Sequence, residues 1–590
     1  MDAATILKTK FGYTQFRHGQ KLVIDKLMAG ENVLALMPTG GGKSLCYQIP
    51  ALLFSGLTLV ISPLISLMKD QVDALNENAI PATFINSSLT YSEIDQRLDM
   101  AARGEVKLLY LSPERLEMAD FMAELNQLKI DLVAIDEAHC ISQWGHDFRP
   151  SYLQVTARLQ ELRSDPVLVA LTATATERVA TDIRQRLGIA AENEVKTGFA
   201  RNNLALQVVK GQDRDRYMLD YLKLNAHESG IIYASTRKEV TRLTTLFQQH
   251  DLSVTMYHAG LSEEVRRQNQ EDFLYDRKLV MVATNAFGMG IDKSNVRFVI
   301  HAQAPGSLEA YYQEAGRAGR DGLPSEAILL YRPSDIQLQR FFIERSDMAD
   351  APRQQEYLKL QALMQYANTQ GCLQQAILQY FGEKAEPCGR CGNCLDQREA
   401  VDITVTAQKV LSCVYRMHEN FGKTLVTQVL TGANNQRVCE LDFTKLSTYG
   451  LLKGQTQKEV GSLIDFLTAA GYLQASGGQY PVLTVTASGA EVLRGQQQVL
   501  RKTAVATQAA QPENDALFEK LRQLRSELAQ AQKVPPFVIF SDRTLHEMCA
   551  RLPQNTSELL EVKGVGEHKA EQYVAAFLEI LATAGTANEI

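Results

Sequence analysis

Three short segments of this 590-residue chain carry side chains suited to phosphate chemistry. Met37-Pro-Thr-Gly-Gly-Gly-Lys-Ser44 follows the apolar run Val33-Leu-Ala-Leu36 and precedes a helical pattern. In such a loop the backbone N–H groups of Thr39, Gly40, Gly41 and Gly42 form a nest for phosphate oxygens, Lys43 reaches the β and γ phosphates, and the Ser44 hydroxyl can hold magnesium. The usual loop begins with glycine where Met37 stands, so alone it also fits a glycine-rich turn with an incidental lysine. Ile130-Asp-Leu-Val-Ala-Ile135 reads as a strand buried on both faces beyond Asp131, and it runs into Asp136-Glu-Ala-His139. Asp136 is suited to bind magnesium directly or through water, and Glu137 to orient and deprotonate an attacking water. The third segment, Tyr311-Tyr-Gln-Glu-Ala-Gly-Arg-Ala-Gly-Arg-Asp-Gly322, places Arg317 and Arg320 three apart among small residues. Guanidinium groups stay charged and grip phosphate in a fixed fork, so this pair can complete a phosphate site from across a cleft.

Positioning such groups needs two walls. Two successive strand-and-helix regions, 1–200 and 201–332, predict two α/β lobes with parallel sheets and a nucleotide between them. A nucleotide held there would act as a removable cross-link, with Lys43 and Asp136 on one side and the arginines on the other.

Length and a 45% hydrophobic content allow three to five domains. The apolar stretch from Leu57 to Leu67 is broken by Pro63, so no membrane span is expected, and the N-terminus lacks a signal-peptide pattern. A net charge of −7 gives no hint of nucleic-acid binding, so any DNA contact must come from local patches.

Of nine cysteines, Cys372, Cys388, Cys391 and Cys394 cluster, with gaps of 15, 2 and 2 residues. The last three can turn their thiolates toward one point, and Cys372 supplies a fourth ligand, which makes a closed structural zinc site. An iron–sulfur cluster is the alternative for four thiolates. Disulfides are not expected from an odd cysteine count with such tight spacing.

In their order along the chain these motifs resemble the bacterial RecQ DNA helicases, a superfamily 2 family, over nearly the full length. Phe16-Arg-His-Gly-Gln20 matches the family's adenine-reading motif; Gln20 would hydrogen-bond the base, with Phe16 and Arg17 beside it. Ser62-Pro-Leu-Ile-Ser-Leu67 and Tyr110-Leu-Ser-Pro-Glu-Arg115 look like strand-touching motifs, and Leu171-Thr-Ala-Thr-Ala-Thr176 like the motif linking hydrolysis to movement. Ile231-Ile-Tyr-Ala-Ser-Thr236 and Ala283-Thr-Asn-Ala-Phe-Gly-Met-Gly-Ile-Asp292 occupy the expected second-lobe places, with Asp292 at the nucleotide. The resemblance implies that Arg320 is the arginine finger, that Arg317 contacts phosphate or couples the lobes, and that His139 belongs to the coupling machinery.

It also implies an α/β multidomain architecture. Two RecA-like lobes are followed by a zinc-binding helical module (333–400), a winged helix (401–500), a linker (501–514) and a small all-α HRDC domain (515–590). In Ser142-Gln-Trp-Gly-His-Asp-Phe-Arg-Pro-Ser-Tyr152, Trp144, His146, Phe148 and Arg149 can stack on unpaired bases and signal to Glu137; alternatively Trp144 and Phe148 plug the lobe core. Tyr480, on a predicted hairpin around Ser476-Gly-Gly-Gln479, can stack on a terminal base pair, unless the wing packs internally. Lys563-Gly-Val-Gly-Glu-His-Lys569 offers Lys563 and Lys569 to DNA, or forms a tight interhelical turn. Phe537 lacks the hydroxyl of the tyrosine often found there in relatives.

The expected activity is ATP-, magnesium- and zinc-dependent 3′ to 5′ unwinding of DNA forks, junctions and partial duplexes in recombination, repair and replication. A monomer is expected in a bacterial cytoplasm at the nucleoid, with single- and double-stranded DNA and single-stranded DNA-binding protein as partners and an HRDC domain dispensable for hydrolysis. An RNA helicase, or a DNA clamp switched by ATP without unwinding, are the alternatives.

Overall fold

Short runs of β-branched and aliphatic residues, buried on both faces, set the strands of two parallel sheets. The computed structural model describes residues 2–63, 65–142, 144–145, 150–288, 293–502 and 516–585. In the first sheet, β1 (Val33–Leu36), β2 (Leu57–Ile61), β3 (Ala82–Ile85), β4 (Leu108–Leu111), β5 (Ile130–Ile135), β6 (Val167–Thr172) and β7 (Glu194–Lys196) run in the order β3-β4-β2-β5-β6-β1-β7. The neighbours β5, β6 and β1 therefore end side by side, which brings Asp136, Thr172 and the loop after Leu36 to one edge. This is the carboxyl-end crevice where open α/β sheets bind ligands.

The second sheet comprises β8 (Leu204–Lys210), β9 (Gly230–Tyr233), β10 (Val254–Tyr257), β11 (Val280–Ala283), β12 (Phe298–His301) and β13 (Ser325–Tyr331), ordered β10-β11-β9-β12-β13-β8. One of its two apolar faces continues without a break into the zinc module, where Tyr357, Leu360, Leu363, Leu373 and Phe381 share the lobe core. The module is thus fused to the second lobe by burial.

Helices Thr404–Arg416, Lys423–Thr431, Gln436–Glu440 and Gln457–Ala469 precede the expected hairpin, Leu473–Ala475 paired antiparallel with Leu483–Val485. A second short pair, Ala400–Asp402 with Leu500–Lys502, ties the start of this domain to its end. The linker expected over 501–514 therefore begins inside a strand, and its remainder lies outside the described residues. The C-terminal helices, from Ala516–Gln532 to Glu567–Gly585, enclose their own core around Phe540, Tyr573 and Phe577. Among the described residues no helix is long and apolar enough to cross a membrane.

Candidate nucleotide site and zinc centre

A cavity of about 650 Å³ lies between the lobes, a size suited to a nucleotide. It is lined by Phe16, Arg17, Gln20, Thr39, Gly40, Gly42, Lys43, Ser44, Asp136 and Glu137 from one side and by Arg317 and Arg320 from the other. Tyr13, which no motif includes, and Gln313, which lies in the double-arginine segment without a role assigned there, line it too. Met37 extends β1 by one residue: its N–H donates to the Thr172 carbonyl, and its side chain is buried against Cys46. Positive φ falls at Gly40 and Gly42 instead, so the loop does not need glycine at its first position. A Cβ on Gly42 would lie 2.4 Å from Gln20 Nε2, and one on Gly40 3.3 Å from the Arg320 Cα. Gln20 is buried, donating to the Gly42 carbonyl at 3.0 Å and accepting from the Arg17 N–H at 2.8 Å; the Arg17 guanidinium reaches the Gly40 carbonyl. The adenine motif and the phosphate loop are thus one packed unit.

Asp136 and Glu137 follow β5 directly, and Glu137 takes left-handed backbone angles (φ 48°, ψ 46°), which are uncommon for a residue with a side chain and recur at functional sites. Burial, and next the Glu137 charge, push Asp136 up to about 7 against the pull of Lys43. A cation at Ser44 and Asp136 would relieve that cost, so the donor set fits magnesium. His139 is buried, with Nδ1 2.9 Å from the Thr172 hydroxyl and 3.3 Å from the Glu137 carboxylate. Burial opposes its charge, but Cys140 and Glu137 raise it to about 10. Thr172 opens the Thr-Ala-Thr segment, so His139 joins the candidate base to the motif expected to link hydrolysis to movement.

Across the cavity, Arg317 is buried and Arg320 half-buried. A Cβ added to Gly288 would sit 2.9 Å from Arg317 Nη2 and 3.1 Å from the Tyr233 hydroxyl, so glycine leaves the room that lets the tyrosine flank this arginine. Asp292, His146, Phe148 and Arg149 lie outside the described residues. Trp144 is partly buried against the first-lobe core, with the Arg178 guanidinium 3.4 Å from its ring centre. It therefore both packs and forms a cation–π pair. Lys359 of the zinc module donates to the Gly145 carbonyl, fixing the start of the same loop.

The expected DNA contacts fall in less open places. The Tyr480 side chain is exposed, but the hairpin is docked: Gln361 donates to the Ala475 carbonyl at 2.7 Å and Arg340 to the Gln479 carbonyl at 3.0 Å. Lys569 turns inward to the Val538 carbonyl. Lys563 lines the nucleotide cavity together with Arg543 and Thr544. The C-terminal domain reaches both lobes, with Gly564 N–H donating to the Gly12 carbonyl at 2.9 Å and the Tyr275 hydroxyl to the Lys533 carbonyl at 2.7 Å. Phe537 is half-buried in this interface and packs against the second-lobe core.

Cys372, Cys388, Cys391 and Cys394 bring their sulfurs within 4.8 Å of one another. The Cys391 and Cys372 sulfurs are 3.9 Å apart, close to the roughly 3.8 Å edge of a tetrahedron with Zn–S bonds of about 2.3 Å. Backbone N–H groups of Leu373, Gln375, Cys388 and Cys391 point at these sulfurs, a setting that favours thiolates. Burial and the neighbouring sulfurs push the Cys394 thiol up to about 12, a cost that a bound cation would relieve.

Comparison with known families bears on every segment. The DEAD/DEAH box helicase family matches residues 17–183, the helicase conserved C-terminal domain 213–322, RecQ zinc-binding 333–395, the RQC domain 397–510 and the HRDC domain 514–581. The chain is 52% identical to the ATP-dependent DNA helicase RecQ of Bacillus subtilis, over 98% of each chain. It is 41% identical to that of Haemophilus influenzae, over 98% of this chain and 95% of the relative. With the RecQ-like DNA helicase blm-1 of Caenorhabditis elegans it shares 30% identity over 98% of this chain and 65% of that one.

Proposed function

The chain belongs to the RecQ family of ATP-dependent DNA helicases, and from that premise we propose that it moves 3′ to 5′ on single-stranded DNA and unwinds forks, junctions and partial duplexes. ATP supplies the phosphoryl group and magnesium neutralises its charge. Ser44 and Asp136 hold the metal, Lys43 and the Thr39–Gly42 backbone hold the phosphates, and Gln20, with Phe16 and Arg17, receives the adenine. Glu137 orients the attacking water and accepts its proton, with His139 passing the state of the site to Thr172. Arg320 stabilises the charge of the transition state, and Arg317 couples the lobes. Four thiolates hold zinc and fix the module fused to the second lobe. Trp144 senses single-stranded DNA, and Tyr480 meets the duplex end. Single-stranded DNA-binding protein is the partner proposed for the winged helix, and the setting is recombination and fork repair in the bacterial cytoplasm, with the enzyme acting as a monomer.

The observation that carries this reading is the contact between the two walls: the Arg320 backbone lies beside Gly40, and a Cβ on Gly316 would come within 3.0 Å of the Thr39 side chain. This closeness of the arginine segment's backbone to the phosphate loop supports assigning Arg317 and Arg320 to the phosphates. The test is unwinding of labelled forks with single-stranded tails of either polarity. Wild type should open the 3′-tailed DNA fork and Lys43→Ala should not. Strand separation that survives Lys43→Ala, requires a 5′ tail, or is faster on the matched RNA duplex would overturn the proposal.

A further inference from the structure

Between the lobes runs a short segment, Gly198-Phe-Ala-Arg-Asn-Asn203, that no motif above includes. Its arginine is buried, 8% exposed, and each of its terminal nitrogens takes two carbonyl partners. Nη1 donates to Thr39 of the phosphate loop at 2.6 Å and to Gly316 at 3.0 Å; Nη2 donates to Ala318 at 2.8 Å and Gly319 at 2.9 Å. The three second-lobe carbonyls flank Arg317 on both sides and immediately precede Arg320. One planar fork therefore joins the loop that holds the phosphates to the segment that carries both arginines.

The flanking residues are gripped by the zinc module. The Phe199 ring stacks on Phe381 with centroids 4.7 Å apart, and its N–H donates to the Glu383 carboxylate at 3.1 Å. Arg390, between Cys388 and Cys391, donates to the Asn202 side chain at 2.8 Å. Asn203 Nδ2 reaches the Gly319 and Leu323 carbonyls at 2.7 and 2.8 Å, and these contacts stay within the second lobe.

We propose that Arg201 is a positioning residue for ATP hydrolysis: held by the zinc module, it sets Arg317 and Arg320 in register with the phosphate loop when the lobes close. Lobe separation breaks only its bond to Thr39, so the arginine segment keeps its shape while leaving the phosphates. Lysine cannot replace it, because an ammonium group lacks the planar fork that reaches both walls at once.

The proposal rests on the cleft being the ATPase site. The experiment uses the full chain and measures single-stranded-DNA-stimulated hydrolysis, melting temperature and zinc content. Arg201→Gln and Arg201→Lys should lower kcat at least about tenfold, with KM for ATP within about twofold, the pattern of an interaction made in the transition state. Asn203→Ala, which loosens the same segment without touching the phosphate loop, should lower the melting temperature but keep kcat within about threefold. Arg390→Ala should retain one zinc per chain and lose several-fold in kcat. An unchanged kcat in folded Arg201→Gln, or an equal loss in Asn203→Ala, would overturn the coupling role. An unchanged kcat in Arg390→Ala would remove the zinc module from it. Hydrolysis persisting in Lys43→Ala would instead defeat the cleft assignment, whatever Arg201 does.

Discussion

The nucleotide cleft and the zinc centre are both polar sites buried among apolar cores, yet they are built in opposite ways. The four sulfurs come from one stretch, Cys372 to Cys394, and backbone N–H groups from that stretch already point at them. The cleft draws on segments as far apart as Tyr13, Arg320 and Lys563, and its two walls meet through carbonyl and glycine contacts. A local site stays formed while its module is folded; a site assembled across lobes exists only while they are closed. Damage to the first should appear in stability, and damage to the second in rate.

The largest effect should come from the zinc centre. Cys391→Ser should abolish stoichiometric zinc, read by metal analysis, and destabilise the chain by on the order of several kcal/mol. Because the module shares the second-lobe core, the loss should lower the melting transition of that lobe; a variant that keeps full stability without metal would erase the contrast. A smaller effect is expected at Asp136, held up to about 7 chiefly by burial and then by Glu137. Below that pH a proton competes with magnesium, so the apparent magnesium affinity of the ATPase should weaken as pH falls from 8 to 6, by up to about tenfold per unit below 7. A flat magnesium requirement across that range would contradict it. The smallest change belongs to Trp144. Trp144→Ala should leave ATP binding intact and reduce DNA stimulation of hydrolysis several-fold, with a stability cost of about 0.5 to 2 kcal/mol for the lost Arg178 contact. Full stimulation with lowered stability would mark the residue as core packing alone.

The same contrast explains what was legible in the sequence. The phosphate loop, Asp136-Glu137 and the cysteine cluster are local patterns whose spacing reflects local geometry, and the structure brings each to a common point. The substitution of Met37 for glycine weakened the loop pattern only because sequence does not show that this residue continues β1. Arg201 left no local trace, since its partners are carbonyls at Thr39 and Gly316 to Gly319, far along the chain in both directions. Its one signal was a basic residue after Gly198, between the last strand of one sheet and the first of the next. For Lys569 and the wing hairpin the sequence leaves contact with DNA and internal packing both open, because whether a lysine or a loop faces solvent depends on packing between domains. The same packing brings Lys563 and Arg543 to the nucleotide cavity.

The claim that the second lobe completes the first is tested most directly by Arg320→Ala, with nucleotide affinity and single-turnover hydrolysis measured on the same DNA-bound preparation. Hydrolysis should fall by about 10³-fold or more, as for loss of an arginine finger, while ATP affinity changes by less than about tenfold. Hydrolysis near the wild-type rate, or a loss explained wholly by weaker ATP binding, would contradict it.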